Sequence, residues 1–511
     1  MVKKGLFLAL VVIVIFTSCA TVDVFEKIEP LKAEPMKVVE SIKGDFTLSI
    51  VVSENIFDSL ETQEFANGQK MVLFNGDVFS DELLMAYLNS FNQNSVDLLT
   101  SYINSKDFDG SSVSPTSLST KSQLYEAISL KVETPFLAAN LLALNEELLP
   151  YVILEKGPLK IVVVGFTLNK FLAEDIREKG AAIVQQIEDL EADLVIALVN
   201  NTPETESLAN SLAAEAQIFD VVFINTNANK QTLANLSFNY DKDLNKYLLN
   251  NIETKQIEVT ETSSEIQEAL RKWSLMPIGL ISESISTRDA LFGDSKSVDL
   301  IHSIQLENSL GELSIAAIPS FDTTLEKGEI STKDLFDFYP KDSYIYTLKL
   351  SGKEIKAYLE NSYGKWFNQM KSLDDDLLNF NGELKSSNCV NFDSLSGVNY
   401  VVDITKAAGQ KVTLKTVGTA EAFKSDKVYN VAIASFKVDQ KESPFLAIGL
   451  SKNEIEDRII GTSDKTIRSY LIEAFTQKEV IPTLDNNWIA IPNLWVQRGF
   501  KTSYPKLFPN R

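Results

Sequence analysis

Histidine is almost absent from this sequence, because His302 is the only one in 511 residues. Basic side chains are also in short supply, since 48 Lys and Arg face 70 Asp and Glu and the formal net charge is −22. A single imidazole excludes every metal centre that needs several histidine ligands. The negative charge repels the phosphate backbone of nucleic acids, so we expect no nucleic-acid polymer among the partners.

Cysteine is equally scarce, with Cys19 and Cys389 as the two examples. Cys19 follows a basic start and the apolar run Leu6–Phe16. This pattern is typical of a bacterial lipoprotein signal peptide of residues 1–18, although a plain secretory signal with an incidental cysteine is the alternative. We predict an exported protein of the cell envelope, anchored in the bacterial membrane through a lipidated Cys19. Cys389 alone then remains, so the mature chain forms no internal disulfide.

The rest of the chain divides into segments of different character. Residues 19–44 are rich in charge and contain two prolines, which predicts a tether. Residues 45–262 alternate short apolar runs with helical patterns, as in a layered α/β domain whose strands are buried on both faces. Residues 263–492 mix strands and helices. Residues 493–511 carry four aromatic side chains and two prolines, which suggests an extended arm packed on a neighbour.

In the first domain the predicted elements are of two kinds, strands from continuous apolar runs and helices from 3.6-residue periodicity. The predicted strands are Leu48–Val52, Met71–Phe74, Lys160–Gly165, Asp193–Val199 and Val221–Ile224, and the predicted helices include Ser80–Asn92 and Ala173–Leu190.

The most informative stretch of the chain is Asp334–Tyr363. Side chains alternate in character from Tyr344 to Leu350, which predicts a strand. Ser351 and Glu354 then have the spacing of a capping box, in which each side chain satisfies a free amide of a new helix. Apolar residues follow at helical spacing, so a strand is expected to pass into a helix within one turn.

The sequence DLFDFYP…YTLKLSGKEIKAYLENS in this stretch resembles the C-terminal domain of the bacterial 5′-nucleotidases. Those enzymes join that domain to an N-terminal calcineurin-like metallophosphatase domain. The resemblance implies a fold of class α/β and α+β. It comprises an N-terminal layered metallophosphatase-like α/β domain at 45–262 and a mixed α/β 5′-nucleotidase C-terminal domain at 263–492.

The enzymes of this family hold two metal ions with Asp, His and Asn side chains at strand ends, and the ions generate a hydroxide nucleophile. The resemblance places other residue types at most of these positions. The first Asp-x-His pair falls on Asn55 and Phe57, an Asn-His pair on Ser105 and Lys106, and a further histidine on Asn200. The last two histidines fall on Thr226 and Ala228 or, with a one-residue shift, on Asn227 and Asn229.

Asp77, in the sequence NGDVF, is the one retained family ligand. We therefore predict no catalytic residues, no dimetal site and no cofactor. A weak single divalent cation on Asp77 and Asp107 is the remaining alternative, while a turn or helix-capping role is the simpler interpretation of Asp77. His302 lies in a segment remote from these positions, so we predict a structural role for it.

The substrate pocket of the family clamps a nucleobase between two phenylalanines, which correspond to Phe392 and Phe445. Stacking accepts any flat base, although each ring is equally well explained as a core residue. The family's phosphate-binding arginine falls on Thr324, beside an unfavourable carboxylate at Asp322, and Pro444 replaces part of a glycine-rich loop. A nucleoside or another small aromatic molecule is the expected ligand.

Three functions follow from these patterns. We favour a catalytically degenerate 5′-nucleotidase homologue, exported and lipid-anchored, that binds a ligand or partner. The first alternative is an active 5′-nucleotidase-type phosphoric-ester hydrolase of nucleotide catabolism with a rebuilt metal site. The second is a structural or adhesive surface protein in which neither pocket survives.

Overall fold

The structure is a computed structural model that describes residues 45–57, 69–78, 81–90, 93–114, 127–141, 148–168, 186–187, 189–201, 219–225, 231–257, 264–380, 391–418, 421–440 and 443–509. The chain divides into two compact units, residues 1–268 and 269–511. The predicted signal peptide, the tether, Cys19, Cys389 and the segment 226–229 lie outside the described residues. None of the helices within the described ranges combines the length and the apolar character needed to cross a bilayer.

The first unit contains two sheets, and the five strands predicted from apolar runs are all confirmed. The helix predicted at Ser80–Asn92 is confirmed with shorter bounds, whereas most of the helix predicted at Ala173–Leu190 lies outside the described residues. The elements are β1 (Phe46–Ser53), β2 (Gln69–Phe74), α1 (Glu82–Ser90), α2 (Gln93–Asn104), β3 (Gly110–Ser112), β4 (Phe136–Leu137), β5 (Tyr151–Lys156), β6 (Leu159–Leu168), β7 (Leu194–Asn201), β8 (Val221–Ile224), β9 (Gln231–Asp241) and β10 (Lys246–Ile257).

One sheet has the strand order β10-β9-β1-β2-β3-β4, and the other has the order β5-β6-β7-β8. Strands β1 to β4 are parallel, and so are β6 to β8. Fully buried side chains from both sheets, such as Ile50, Leu73, Val163 and Ile196, form one shared core. The carboxyl ends of the parallel strands are where α/β folds usually build their sites.

The second unit begins within α3 and mixes strands with short helices. Its elements are α3 (Glu265–Ser274), β11 (Pro277–Ile281), β12 (Ile285–Ser286), α4 (Thr287–Ala290), α5 (Lys296–Glu307), β13 (Leu313–Ala317), β14 (Thr324–Leu325), β15 (Gly328–Ser331), α6 (Thr332–Phe338), β16 (Ile345–Ser351), α7 (Gly352–Trp366), β17 (Asp393–Ser396), β18 (Val398–Asp403), β19 (Val412–Val417), β20 (Glu421–Ala422), β21 (Val428–Ala434), α8 (Phe436–Asp439), α9 (Pro444–Ala447), α10 (Lys452–Glu456), β22 (Ile459–Thr462), α11 (Ile467–Gln477), β23 (Trp488–Ile491) and α12 (Asn493–Leu507).

The strand-to-helix transition predicted at Ser351 is confirmed. Strand β16 lies inside a five-stranded sheet of order β17-β13-β21-β16-β22. The Ser351 hydroxyl accepts a hydrogen bond from the backbone N–H of Glu354, whose carboxylate accepts one from the backbone N–H of Ser351 at 2.8 Å. This capping box starts α7, whose buried face contributes Tyr358, Tyr363 and Trp366 to the core.

The C-terminal tail departs from the expectation. Residues predicted to form an extended arm instead form α12, with Pro505 inside its last turn. The aromatic side chains recur at helical spacing and pack on the tail's own unit, since Phe500 and Tyr504 contact Phe292 with ring centroids 4.6 and 5.6 Å apart. The prolines had suggested an extended chain, because proline lacks a backbone N–H and its ring disturbs a helix. Pro505 lies near the end of α12, and the packing of the tail on its own unit stabilises this helix.

Candidate functional site

The carboxyl ends of the strands in the first unit carry a network of neutral side chains. The Asn75 side-chain amide donates to the carbonyl oxygens of Val199 at 3.3 Å and Phe223 at 3.1 Å, so it joins the end of β2 to β7 and β8. The Ser112 hydroxyl donates to the side-chain oxygen of Asn75 at 2.6 Å. These buried polar groups satisfy one another, as the low dielectric of an interior requires.

Asn200, where the resemblance expects a metal-binding histidine, belongs to this network. Its side-chain amide donates to the Gly76 carbonyl at 2.8 Å and to the Ser112 hydroxyl at 3.2 Å. Gly76 leaves no room for a side chain, because a Cβ there would lie 1.9 Å from the carbonyl oxygen of Glu54. Asn200 therefore closes the gap between the sheets with amide hydrogen bonds.

The residues at the family's first metal-ligand positions, Asn55, Phe57 and Lys106, make other contacts in this structure. The side-chain oxygen of Asn55 accepts the backbone N–H of Phe57 at 3.0 Å, and the Phe57 ring stacks on Tyr102 at 5.6 Å between centroids. The Lys106 ammonium lies 4.7 Å from the centroid of the same Tyr102 ring. An aromatic pair with a cation over it thus occupies this region.

Asp77 lies in the loop after β2 and is half-buried. Helix α1 is capped by Asp81, whose carboxylate accepts the backbone N–H groups of Leu83 and Leu84 at 2.9 and 3.0 Å, while the turn or capping role expected of Asp77 stays a prediction. Among the described residues, neither Asp77 nor Asp107 belongs to a group of three His, Cys, Asp or Glu close enough to share one metal ion. Asp107 is exposed and has a left-handed backbone with φ of 53°.

His302 lies in α5, in the core of the second unit, with 3% of its surface exposed. Its Nδ1 is 2.9 Å from the Ser314 hydroxyl and its Nε2 is 3.0 Å from the Ser394 hydroxyl. Burial lowers the pKa of this imidazole to about 3, so the ring is neutral at physiological pH. Both ring nitrogens are satisfied inside the protein, which is the environment of a structural histidine.

A pocket of about 520 Å³ in the second unit lies between the segments that carry the two predicted phenylalanines. Its size suits a small organic ligand. Side chains that form hydrogen bonds dominate its lining, with Tyr358, Asn361, Ser362, Asn391, Gln440 and Ser443 among them. The side-chain nitrogen of Gln440 is buried without a hydrogen-bond partner among the described residues, so it is a donor available to a ligand.

The phenylalanines themselves lie in the core, with 5% of Phe392 and none of Phe445 exposed. Phe392 stacks on Trp366 with ring centroids 5.3 Å apart and planes 3° apart, and Phe445 contacts Tyr358 at 5.0 Å. The structure does not bring the two rings together as an open clamp. Of the two interpretations that the sequence left open, their packing matches the core residue.

A buried ion pair borders the pocket. Lys437 and Asp393 are each 1% exposed, and the Lys437 ammonium lies 2.8 and 2.9 Å from the two carboxylate oxygens. The Tyr358 hydroxyl donates to the same carboxylate at 3.1 Å. Burial, followed by the charge of Asp393, raises the pKa of Tyr358 well above its usual value, so the hydroxyl remains a donor. Sequence inspection missed this group, because 44 residues separate Asp393 from Lys437.

Asp322 and Thr324, which lie where the family has its phosphate-binding loop, form an ion pair and a hydrogen bond within the second unit. Asp322 forms an ion pair with Arg288, and the guanidinium carbon of Arg288 lies 4.6 Å from the centroid of the Phe508 ring. Thr324 is exposed in β14 and donates its hydroxyl to that of Ser286 at 3.3 Å. The carboxylate that the sequence marked as repulsive to phosphate is thus neutralised within the unit.

Three carboxylates converge near Trp488, with oxygens of Asp294, Asp299 and Asp485 within 4.8 Å of one another. Asp299 accepts the backbone N–H of Asp485 at 2.8 Å. Burial, and then the charges of Asp299 and Asp485, raises the pKa of Asp294 to about 7. Burial, together with the charge of Asp485, raises the pKa of Asp299 to about 7 as well. Folding is therefore coupled to proton uptake at this cluster.

Comparison with known proteins identifies what the second unit is similar to, since residues 277–447 match the family model described as 5′-nucleotidase, C-terminal domain. The chain is 25% identical over 288 residues to the trifunctional nucleotide phosphoesterase of Bacillus subtilis, across 50% of this chain and 19% of that protein. It is 27% identical over 290 residues to the 2′,3′-cyclic-nucleotide 2′-phosphodiesterase/3′-nucleotidase of Haemophilus influenzae, across 50% of this chain and 42% of that one. The chain spans less than half the length of these relatives.

A solved structure has a similar fold. A Staphylococcus aureus protein assigned as a 5′-nucleotidase superposes with a TM-score of 0.59 at 14% identity, over 87% of this chain and 99% of that one. This likeness, with the mixed sheets described above, confirms the predicted fold class of a metallophosphatase-like α/β unit followed by a mixed α/β unit.

A first prediction concerns Asn200. Replacing Asn200 with Ala should lower the free energy of unfolding of the first unit by about 1–3 kcal/mol, because the buried Gly76 carbonyl loses its donor. Differential scanning calorimetry of the full chain measures this loss. Asn251→Ala, which removes an exposed amide, is the matched control and should change stability by less than about 0.5 kcal/mol. Unchanged stability of Asn200→Ala would contradict a structural role.

A second prediction uses the carboxylate cluster. Because the folded-state pKa values of Asp294 and Asp299 are raised from 3.8 to about 7, their stabilising contribution is complete below about pH 4 and is lost as the pH rises to about 7. Asp294→Asn should therefore raise the melting temperature at pH 8 by about 2–6 °C and change little at pH 4. The exposed Asp374→Asn serves as the control. An equal effect of Asp294→Asn at both pH values would refute the coupling.

Proposed function

We propose that this chain, whose residues 277–447 match the 5′-nucleotidase C-terminal domain, is a catalytically degenerate member of the 5′-nucleotidase family that binds a small polar ligand. The ligand class is a nucleoside or a similar small aromatic molecule. The single observation that carries the loss of catalysis is the position of the only imidazole, which is buried between Ser314 and Ser394 in the second unit.

The chemistry of the first unit supports this proposal. A dimetal phosphoesterase needs several nitrogen and carboxylate ligands around two ions a few ångströms apart. Here the side chains of Asn75, Ser112 and Asn200 form hydrogen bonds with one another and with backbone groups. Neutral amide oxygens are weak ligands for transition metals, and Asp77 alone cannot hold a pair of ions.

The pocket beside Tyr358 supports ligand binding by a different mode from that of the family. With both phenylalanine rings packed in the core, recognition rests on hydrogen bonds from Asn361, Asn391 and Gln440. Such groups match the edges of a nucleobase or the hydroxyls of a ribose. Hydrogen-bonding groups in a pocket favour ligands that pair with them, because a ligand that leaves these donors unpaired binds more weakly.

Activity as a phosphoric-ester hydrolase is the second candidate, favoured by the names of the relatives, which are a nucleotide phosphoesterase and a cyclic-nucleotide phosphodiesterase/3′-nucleotidase. It requires a metal site rebuilt on Asp77. A structural surface protein without a ligand is the third candidate, and the buried side-chain nitrogen of Gln440, which has no hydrogen-bond partner among the described residues, argues against it.

The functional test has two parts on the full chain. We expect no phosphate release from AMP above the protein-free background with added Mn²⁺ or Co²⁺, and less than one bound metal ion per chain by elemental analysis. We also expect adenosine to raise the melting temperature, since a ligand at 100 times its Kd stabilises the native state by about 2.7 kcal/mol. Robust turnover would establish the hydrolase, and the absence of any nucleoside shift would favour the structural protein.

Variants locate the ligand. Asn391→Ala and Gln440→Ala should each reduce the adenosine shift, because each removes a hydrogen-bonding group from the pocket lining. Gln497→Ala, an exposed amide on α12, is the matched control and should leave the shift unchanged. Phenylalanine variants are unsuitable here, because truncating a buried Phe costs about 3–5 kcal/mol and unfolds the unit for reasons unrelated to binding.

Export and lipid anchoring at Cys19 remain part of the proposal and rest on the pattern of residues 1–19. Incorporation of labelled fatty acid into the wild-type chain, abolished in Cys19→Ser, is the expected result in a bacterial host. Cys389→Ser should retain the label. Equal labelling of wild type and Cys19→Ser, or none in either, would overturn the anchor.

A further inference from the structure

A second cleft of about 600 Å³ runs along helix α7, next to the pocket beside Tyr358. The two cavities share Asn361, Lys365 and Ala447 in their linings, so they adjoin each other. We call this second cleft the lysine groove, because its lining includes Lys353, Lys356 and Lys365.

The lysine groove is basic in an acidic protein. The whole chain has 70 acidic and 48 basic side chains, yet Glu360 is the only carboxylate in the groove lining among the described residues. Both oxygens of Glu360 accept backbone N–H groups, from Lys411 at 2.8 Å and Val412 at 2.9 Å, so this carboxylate is committed to the start of β19. Its negative charge is held away from the opening, with 7% of the residue exposed.

The three lysines are uncompensated. In the part of the chain that the structure describes, none of them forms an ion pair, whereas the nearby Glu354 of α7 is paired with Arg458 at 2.7 Å. All three are exposed, so their ammonium groups reach water and any solute. Free ammonium groups in a concave site attract anions, and several of them act together.

The shape of the groove suits an extended anion. Small residues form its floor, namely Ala357 and Gly364 on α7, Ala408 and Gly409 in the facing loop, and Ala447 on α9. Lys353 and Lys365 are twelve residues apart, which is about 18 Å along a helix axis. Lys356 and Lys365 are nine residues apart, which turns the helix by about half a revolution, so they border the groove from opposite sides of α7.

We propose that the lysine groove binds the phosphate groups of a ligand whose nucleoside part occupies the adjoining pocket. The ligand class is then a nucleoside polyphosphate, a small molecule with two or more negative charges. This inference rests on the proposed function for the nucleoside part, but it assigns a separate anion site on α7. Phosphates held by lysine ammonium groups are bound without being brought to a metal ion.

Calorimetric titrations of the full chain in EDTA, which removes divalent cations, test this assignment. The probes are adenosine, ADP and inorganic tripolyphosphate. ADP should bind about tenfold more tightly than adenosine at low salt, and the difference should shrink as salt screens the charges. The double variant Lys353→Gln/Lys356→Gln, which touches only the lysine groove, should remove most of this gain and leave adenosine binding unchanged. Glutamine retains helix propensity, so α7 should persist.

Lys333→Gln is the matched control, because it removes an exposed lysine that is already paired with Asp337 outside the groove. Equal binding of adenosine and ADP would overturn the groove assignment and leave the nucleoside proposal standing. Lysine-dependent binding of tripolyphosphate without adenosine binding would support the groove and overturn the nucleoside proposal. ADP binding that survives in the double variant, or is lost equally in Lys333→Gln, would also refute the groove, and no binding of any probe would overturn both.

Discussion

Polar groups buried at the ends of parallel strands must find partners inside the protein, and this constraint organises the first unit. In a metallophosphatase the partners are metal ions, whose charges offset clustered carboxylates. Here Asn75, Ser112 and Asn200 form a closed set of hydrogen bonds that joins the two sheets. A buried polar group without a partner costs about 1–3 kcal/mol, so these hydrogen bonds contribute to the stability of the core between the sheets.

The sequence predicted well those features that local physics determines. Continuous apolar runs gave the right strands in β1, β2 and β6 to β8, because burial on both faces leaves no polar alternation. The Ser351–Glu354 capping box is a three-residue pattern with its own geometry, so it was readable directly. The scarcity of histidine is read directly from the composition, and it excludes metal sites with several histidine ligands in any fold.

Features that depend on distant parts of the chain were not predictable. The tail of residues 493–511 contained prolines that favour extended chain, yet its contacts with Phe292 stabilise helix α12. From the sequence, Phe392 and Phe445 were equally well explained as core residues or as a clamp for a base. In the structure their rings pack on Trp366 and Tyr358, which matches core residues. The pairs Lys437–Asp393 and Arg288–Asp322 join residues tens of positions apart, and one sequence carries no signal for such pairings.

The location of positive charge in the second unit links these findings. Where the family places a phosphate-binding arginine, this chain has an exposed Thr324, and the basic residue nearby, Arg288, is neutralised by Asp322. Lysines that form no ion pair within the described ranges lie instead on α7, beside a pocket lined mainly with amides and hydroxyls. In a protein of charge −22 an exposed ammonium group lowers the overall charge repulsion only slightly, so stability alone does not explain why three lysines line one cleft. A polar pocket that opens onto a basic groove is better explained by a ligand that has both an uncharged polar part and an anionic part.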